Sequence, residues 1–503
     1  MRINHILTDY FCESHNIDLN KEYEIEEIDA SDLIVSERID LIAKIKYIEF
    51  REKGYDLTYI KKLYSAHIEA FSDGTYIEPG NEAKNSIEDY LDTFDSLIDD
   101  IKKQGINPDK SVIPVGKNNT ILDGAHRIAI AAYFKQKVPV IRFNDLSVSY
   151  GTSFFENRLL DNEYIDYLVT EYCKIKKNIY FSCIWPVVYN EMDNNVIEEL
   201  IGKYATLIYK KKVKLSYEGL QNFMIQIYSS QQWTGNLKNR YSGIHSKVEA
   251  CFNKHGYISV YILECKDGLE KILELKSDIR KVFNVENHSI HITDNDFETV
   301  QICNLLLNEN SIDFLNNGNP LCYLEFCNKI SSFKDTIINY NLSLEEFLVD
   351  SSASLALYGL RDAADIDFMT IASEFKQIES NDINNHHKYI KLYETSIDDL
   401  VLNPNNFFSY NDVKFITLKK LREFKKNRDE IKDRNDVRLI DVVLSGKKHR
   451  KMNFYKFKHL VAKKHRNIKS FIKFKIKKIL KAIGLFELFK KFYHSIMNRV
   501  GKW

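Results

Sequence analysis

Two short strings in this 503-residue chain combine residue types suited to handling phosphate. The first, Asp123-Gly124-Ala125-His126-Arg127, leads into the apolar run IAIAAY. A helix starting there gathers free backbone N–H groups and the positive end of its dipole at one point, which is an anion site. Gly124 permits a tight turn and close backbone approach. His126 and Arg127 on the first turn add side-chain donors, the guanidinium as a fork. Asp123 is open to three roles: base, Mg²⁺ ligand or plain helix cap. The second string, Asp365-Ile366-Asp367, sets two carboxylates two residues apart. On a strand such residues share a face. Their repulsion is relieved by a divalent cation, which makes Asp365 and Asp367 candidate metal ligands for phosphoryl or nucleotidyl transfer.

The elements around these strings are those needed to aim them. Apolar residues at helical spacing run through SERIDLIAKIKYIEFREKGYDLTYIKKLYSAHIEAF. The loop YIEPGNEAKNS then enters a helix that stops at Gly105. SVIPV reads as a buried strand, GKNN as a turn, TIL as a second strand, DGAHRIAIAAYFKQ as the helix and VPVIRF as a third strand. Downstream, FLVD is a strand, Ser351-Ser352 a small-residue turn, and DIDFM a strand carrying the paired acids. Between them, strands over NIYFSCIWPVVY, YISVYILEC and HSIHITD alternate with helices. His291 and Asp294, with Lys276 and Arg280, read either as a phosphate or sugar site or as a strand end with an Asp helix cap. His386 and His387 lack metal-ligand spacing and read as loop or strand residues.

The succession from the Gly105 helix through IPV, the turn, ILDGAHRIAIA and VPVI resembles the ParB/sulfiredoxin fold over about residues 75–143. The resemblance implies that Gly124, His126 and Arg127 bind nucleotide phosphates, ATP or CTP. Sulfiredoxins carry cysteine where this chain has Ala125, so their chemistry is excluded. Partition proteins of the superfamily bind DNA, but no helix-turn-helix pattern follows the motif here. Kinases that phosphorylate a small hydroxyl compound remain; by their example Glu78 is the candidate base, and Lys84 a candidate for neutralising phosphate charge. VDSSASLALYGLRDAADIDFMTI resembles the nucleotidyltransferase superfamily, with Ser351-Ser352 standing where a Gly-Gly or Gly-Ser pair grips nucleotide, and 12 residues before Asp365. A third acid on a later strand is not evident. Lys425, Arg428, Lys432 and Asp433 match the positively charged helix that follows in such domains.

The expected fold class is therefore mixed α/β in four parts. Residues 1–150 form a ParB/sulfiredoxin-like ATP-binding domain, 151–335 an α/β middle region that belongs to the transferase in one reading, 336–446 a nucleotidyltransferase-like core, and 447–503 a basic amphipathic helical tail. A 44% apolar and 28% charged composition is that of a globular protein. Eight scattered cysteines without a C-x-x-C pair disfavour structural zinc or a disulfide framework. No signal peptide or membrane span is expected. The zero net charge hides an asymmetry: residues 447–503 hold 19 Lys and Arg against Glu487 alone. With Ile468, Phe471, Ile472, Ile476, Ile479, Leu480 and Ile483 on one helical stripe, that tail fits an anionic membrane surface better than nucleic acid. The expectation is a bifunctional Mg²⁺-dependent phosphate-transfer enzyme, peripheral at the inner face of the cell membrane. It would act on a small-molecule or glycan acceptor in bacterial surface-polysaccharide synthesis. The alternatives are a nucleotide-switched DNA-binding protein and a toxin-like nucleotidyltransferase modifying RNA or protein.

Overall fold

A computed structural model describes residues 6–78, 84–188 and 194–446, with isolated positions between 461 and 485. The expected tail over 447–503 thus falls almost wholly outside the described residues. The chain is mixed α/β, with three sheets each flanked by helices.

The first sheet has the order β1-β3-β2, with β1 over Glu26–Asp29, β2 over Ile113–Val115 and β3 over Lys137–Arg142. β3 runs antiparallel to β1 and parallel to β2. The helix Ile87–Gln104 opens with a capping box between Ser86 and Asp89 and ends at Gly105, as its sequence predicts. The strand expected over 120–122 shrinks to a bridge between Val115 and Ile121. Asn118 and Asn119 turn with positive φ, and only four residues remain before the chain must swing into its next helix at Gly124. That helix, Ala125–Tyr133, buries Ala129 and Ala131 completely, so it sits close against the helix Asp40–Lys53.

The second sheet is antiparallel throughout, in the order β5-β6-β4-β7 (β4 Ile179–Ile184, β5 Thr206–Lys214, β6 Tyr257–Glu264, β7 Ile290–Ile292). Strand alternation divides its residues between two cores. Phe181 and Cys183 join the large core shared with the first sheet and the helices Asn162–Ile175 and Asp296–Leu306. Tyr180 and Ile184 point the other way, to Ile197, Ile201, Ile272 and Leu275.

The third sheet runs β10-β9-β8-β12-β11 (β8 Phe347–Asp350, β9 Ile366–Thr370, β10 Ile383–Asn385, β11 Phe407–Tyr410, β12 Val413–Ile416). Its core extends from Phe314 to Ile440 and takes in the helices Leu324–Asn339, Leu418–Arg428 and Ile431–Leu444. Here β8 is antiparallel to β9 with Asp350 directly opposite Asp367, and parallel to β12.

A chain of alternating charges joins the three units. Glu49 and Lys46 of the first meet at 2.5 Å, and Lys46 reaches Glu171 of the second at 2.9 Å. Glu171 holds Lys174 at 2.9 Å, Lys174 reaches Glu345 at 3.2 Å, and Glu345 binds Lys414 of β12 at 2.9 Å. Each inner charge has an opposite charge on both sides, which offsets the cost of removing these groups from water.

Candidate functional site

The first cleft is built where β2 hands the chain to the helix Ala125–Tyr133. Gly124 occupies the N-cap with φ +84° and ψ 28°, and no side chain caps the helix. A Cβ at Gly124 would lie 2.8 Å from Nη2 of Arg127 and 2.9 Å from Cδ1 of Ile113. Asp123 is therefore not the helix cap; its Oδ1 accepts the Gly124 N–H at 2.6 Å. Glu78, Asp123, Gly124 and His126 line a cleft of about 960 Å³. Lys84 is not in its wall and instead holds Glu78 at 2.9 Å, its ammonium 5.3 Å from the ring centroid of Tyr90. Arg127 also stays out of the wall: it folds back over Gly124, 3.8 Å from Asp123. The guanidinium expected to grip phosphate is thus turned to its own helix start.

His126 gives its Nε2 to a 2.7 Å hydrogen bond with the Tyr64 hydroxyl. Burial, reinforced by the charges of Lys44 and Lys84, pushes its pKa well below the ordinary imidazole value, so the ring is neutral. The cationic groups that do line the cleft are Arg38, Lys44 and Arg158, which no motif singled out; Arg158 donates to the carbonyls of Ala70 and Phe71. Arg38 grips both oxygens of Asp40 at 2.8 and 2.9 Å and donates to the Ile121 carbonyl. Lys44 meets Asp40 at 2.9 Å and donates to Nε2 of His67 at 3.0 Å, while Nδ1 of His67 donates to the Tyr64 carbonyl. Burial raises the pKa of Asp40, but the two cations overcome it and hold the carboxyl far below the usual range. This triad leaves one net positive charge at the base of the cleft. A faint signal is present in the sequence: Lys44 lies three residues from Leu41 and four from Ile48, on the apolar stripe of its helix, where a charge needs a reason.

The second cleft, of about 940 Å³, opens at the ends of β8 and β9. Ser351, Ser352, Asp365 and Asp367 all line it, with Arg361, His386, Tyr389, Arg428 and Lys432. Asp365 precedes β9 by one residue and Asp367 lies within it, so the predicted pair does share one cleft. Burial and then the charge of Asp367 raise the pKa of Asp365. Ser351 takes φ +59° and ψ −128°, a conformation in which glycine is at home, and opens a helix of only six residues, Ser352–Leu357. The sequence motif expected a glycine at this place for the same reason.

Two further residues, Asp350 on the earlier strand β8 and His386, join Asp367 here. Asp350 ends β8 and is wholly buried; its Oδ1 takes Nδ1 of His386 at 3.0 Å and its Oδ2 the Tyr393 hydroxyl at 2.9 Å. The other ring nitrogen, Nε2 of His386, lies 3.1 Å from Oδ1 of Asp367. Asp350, Asp367 and His386 thereby gather one ligand atom each within 4.8 Å of one another, the only such metal-capable cluster among the described residues. His386 lies just past the end of β10, as a loop or strand-end residue, and bridges two carboxylates. Burial opposes its charge, yet the bonds to Asp350 and Asp367 push its pKa up to about 10. The sequence hid this because β10 carries His386 to β9 by parallel pairing, which no local spacing reveals.

Of the downstream basic residues, Lys425 and Arg428 turn inward. Lys425 lies 3.2 Å from Asp433 and 2.8 Å from Asp436, and Arg428 grips Asp433 with two nitrogens. Arg361 holds both oxygens of Asp436 at 2.7 and 2.9 Å. The network fixes the last two helices to the wall of the cleft. Lys432, also on this wall, is exposed and pairs with Glu430 at 3.1 Å. At the third sequence signal, Lys276 donates to the Ile292 carbonyl and Asn295, not Asp294, caps the following helix, so a structural role suffices.

Comparison with protein-family models, curated proteins and solved structures gives no match. The chemistry is accordingly read from this chain's own residues.

Proposed function

We propose that the chain is a bifunctional phosphate-transfer enzyme: an ATP-dependent kinase of a small hydroxyl compound or sugar at the first cleft, and a nucleotidyl- or phosphotransferase at the second. The observation that carries this reading is the convergence of Glu78, Asp123, Gly124 and His126 on one cleft whose base holds buried Arg38 and Lys44. An uncapped helix start and the Arg38–Lys44 pair would attract a phosphate group, while Asp73, Glu78 and Asp123 on the same lining would favour a divalent cation beside it. ATP, when bound, would supply the phosphoryl group; CTP fits the same polarity. Glu78 is the group suited to take the acceptor's hydroxyl proton, and its pairing with Lys84 restrains it at the cleft wall. Neutral His126, positioned by Tyr64, offers hydrogen bonding without repelling a proton. Asp123 is held against its own Gly124 amide, which supports a role in shaping the turn.

At the second cleft, Asp365 and Asp367 are suited to hold a divalent cation, which would supply electrostatic stabilisation of a phosphoryl group. Ser351 and Ser352 bound the same space. The proposed setting, bacterial surface polysaccharide or glycoconjugate synthesis at the inner membrane face, rests on the sequence resemblances and the basic tail.

The test is incubation of the full chain with Mg²⁺, Mn²⁺ and a bacterial metabolite extract, using ATP labelled at the γ-phosphate or nucleoside triphosphates labelled at the α-phosphate. The γ-label should pass to a small molecule, be lost in Glu78→Gln and persist in Asp367→Asn. The α-label should show the reverse dependence. No movement of either label would sink the proposal, and α-label on RNA or protein would move the chain to the toxin-like class.

A further inference from the structure

The second cleft presents an imidazole to its carboxylates, and this changes which cation suits it. Nδ1–H of His386 is tied to Asp350, which is in turn tied to Tyr393, so the ring is fixed from behind by two successive hydrogen bonds. Its other nitrogen, Nε2, meets Asp367 at 3.1 Å, with Asp365 on the same cleft surface. A carboxylate behind a histidine, aiming its other nitrogen forward, is the arrangement that orients metal-binding imidazoles and raises their basicity.

We propose that this cleft binds one first-row transition-metal ion, of the Mn²⁺, Co²⁺ or Zn²⁺ class, through Nε2 of His386 and the carboxylate of Asp367. Asp365, which lines the same cleft outside that close cluster, completes the site from the wall, with Asp350 and Tyr393 as positioning residues. Mg²⁺ favours an all-oxygen octahedron and keeps its waters, whereas imidazole nitrogen suits the transition ions. When the ion takes the Nε2 lone pair, the proton there passes to solvent. The two carboxylates then share a dication in place of the imidazolium that spans Asp350 and Asp367. The inference rests on reading the cleft as a metal-dependent transfer centre for its catalytic meaning, and it names that centre's metal.

The experiment uses the metal-free full chain and reads metal directly. Titration with Co²⁺ should give visible absorption saturating at one ion per chain, and Mn²⁺ should bind with the same stoichiometry by electron paramagnetic resonance. A tenfold excess of Mg²⁺ should leave the Co²⁺ spectrum in place. His386→Gln should weaken Co²⁺ binding by about tenfold or more. Asp365→Asn, at the cleft mouth, should weaken it with an unchanged melting temperature, which separates ligand loss from unfolding. Unchanged Co²⁺ affinity in both variants, or ready displacement by Mg²⁺, would overturn the proposal. Saturable Co²⁺ binding without α-label transfer would uphold the metal site while removing the transferase reading.

Discussion

Gly124 and Ser351 show how single backbone conformations set the two clefts. Each has positive φ, and each begins the helix that borders its cleft. Glycine adopts the region freely, whereas any other residue there carries strain. Gly124→Ala places a Cβ against Ile113 and Arg127, and it should cost about 1–3 kcal/mol by denaturant midpoint. Ser351→Gly should act in the opposite direction, raising stability by up to about 1 kcal/mol through relief of that strain. A loss of stability in Ser351→Gly would mean that the serine hydroxyl contributes more than the strain costs. The same residue scale explains Arg127: its guanidinium packs over a glycine that has no side chain to keep it away.

The charged chain from Glu49 to Lys414 acts between elements. Glu171 lies at its middle, between Lys46 and Lys174. Burial raises the pKa of Glu171, but the two lysines overcome this and bring it down to about 2 from 4.5. A carboxyl lowered on folding contributes stability above its unfolded pKa and loses it as pH falls. The melting temperature should therefore decline between about pH 4.5 and pH 2, and Glu171→Gln should flatten that decline while lowering stability at neutral pH. An identical acid profile in the variant would remove Glu171 from the coupling of the three units. None of these contacts was legible in sequence, because Lys46, Glu171 and Glu345 each read as an ordinary charge on an amphipathic helix or a loop. Element identity was more accessible: β4, β6, β7 and β8 fall inside predicted strands and β9 overruns its predicted strand by one residue, since their apolar runs are buried whatever their partners.

At the scale of the molecule, charge is divided between the folded units and the basic tail. Residues before Lys447 carry 52 basic and 70 acidic side chains, against 19 basic and one acidic from Lys447 onward. If the tail anchors the protein, full-length chain should sediment with anionic vesicles at low salt, and a chain ending before Lys447 should stay in the supernatant. Retention on DNA cellulose without vesicle binding would redirect the tail to nucleic acid. The truncated chain should also keep the phosphate-transfer activities, as both clefts are lined by residues that precede it. Loss of those activities on truncation would make the tail part of the catalytic unit.

The sequence by itself determined the mixed α/β class, the glycine-led helix start, the convergence of Asp365 and Asp367, and the opposed charges of body and tail. These depend on nearest neighbours, on helical or strand periodicity, and on counting. Tertiary structure decided what each cleft contains. Lys44 enters the first because its helix packs beneath Ala125–Tyr133, and Arg38 because it sits just before that helix, bridged to Tyr150. His386 enters the second because β10 pairs with β9, and Asp350 faces Asp367 because β8 does. Such contacts form across long stretches of chain, where strand register and helix packing, rather than residue spacing, fix which charges meet.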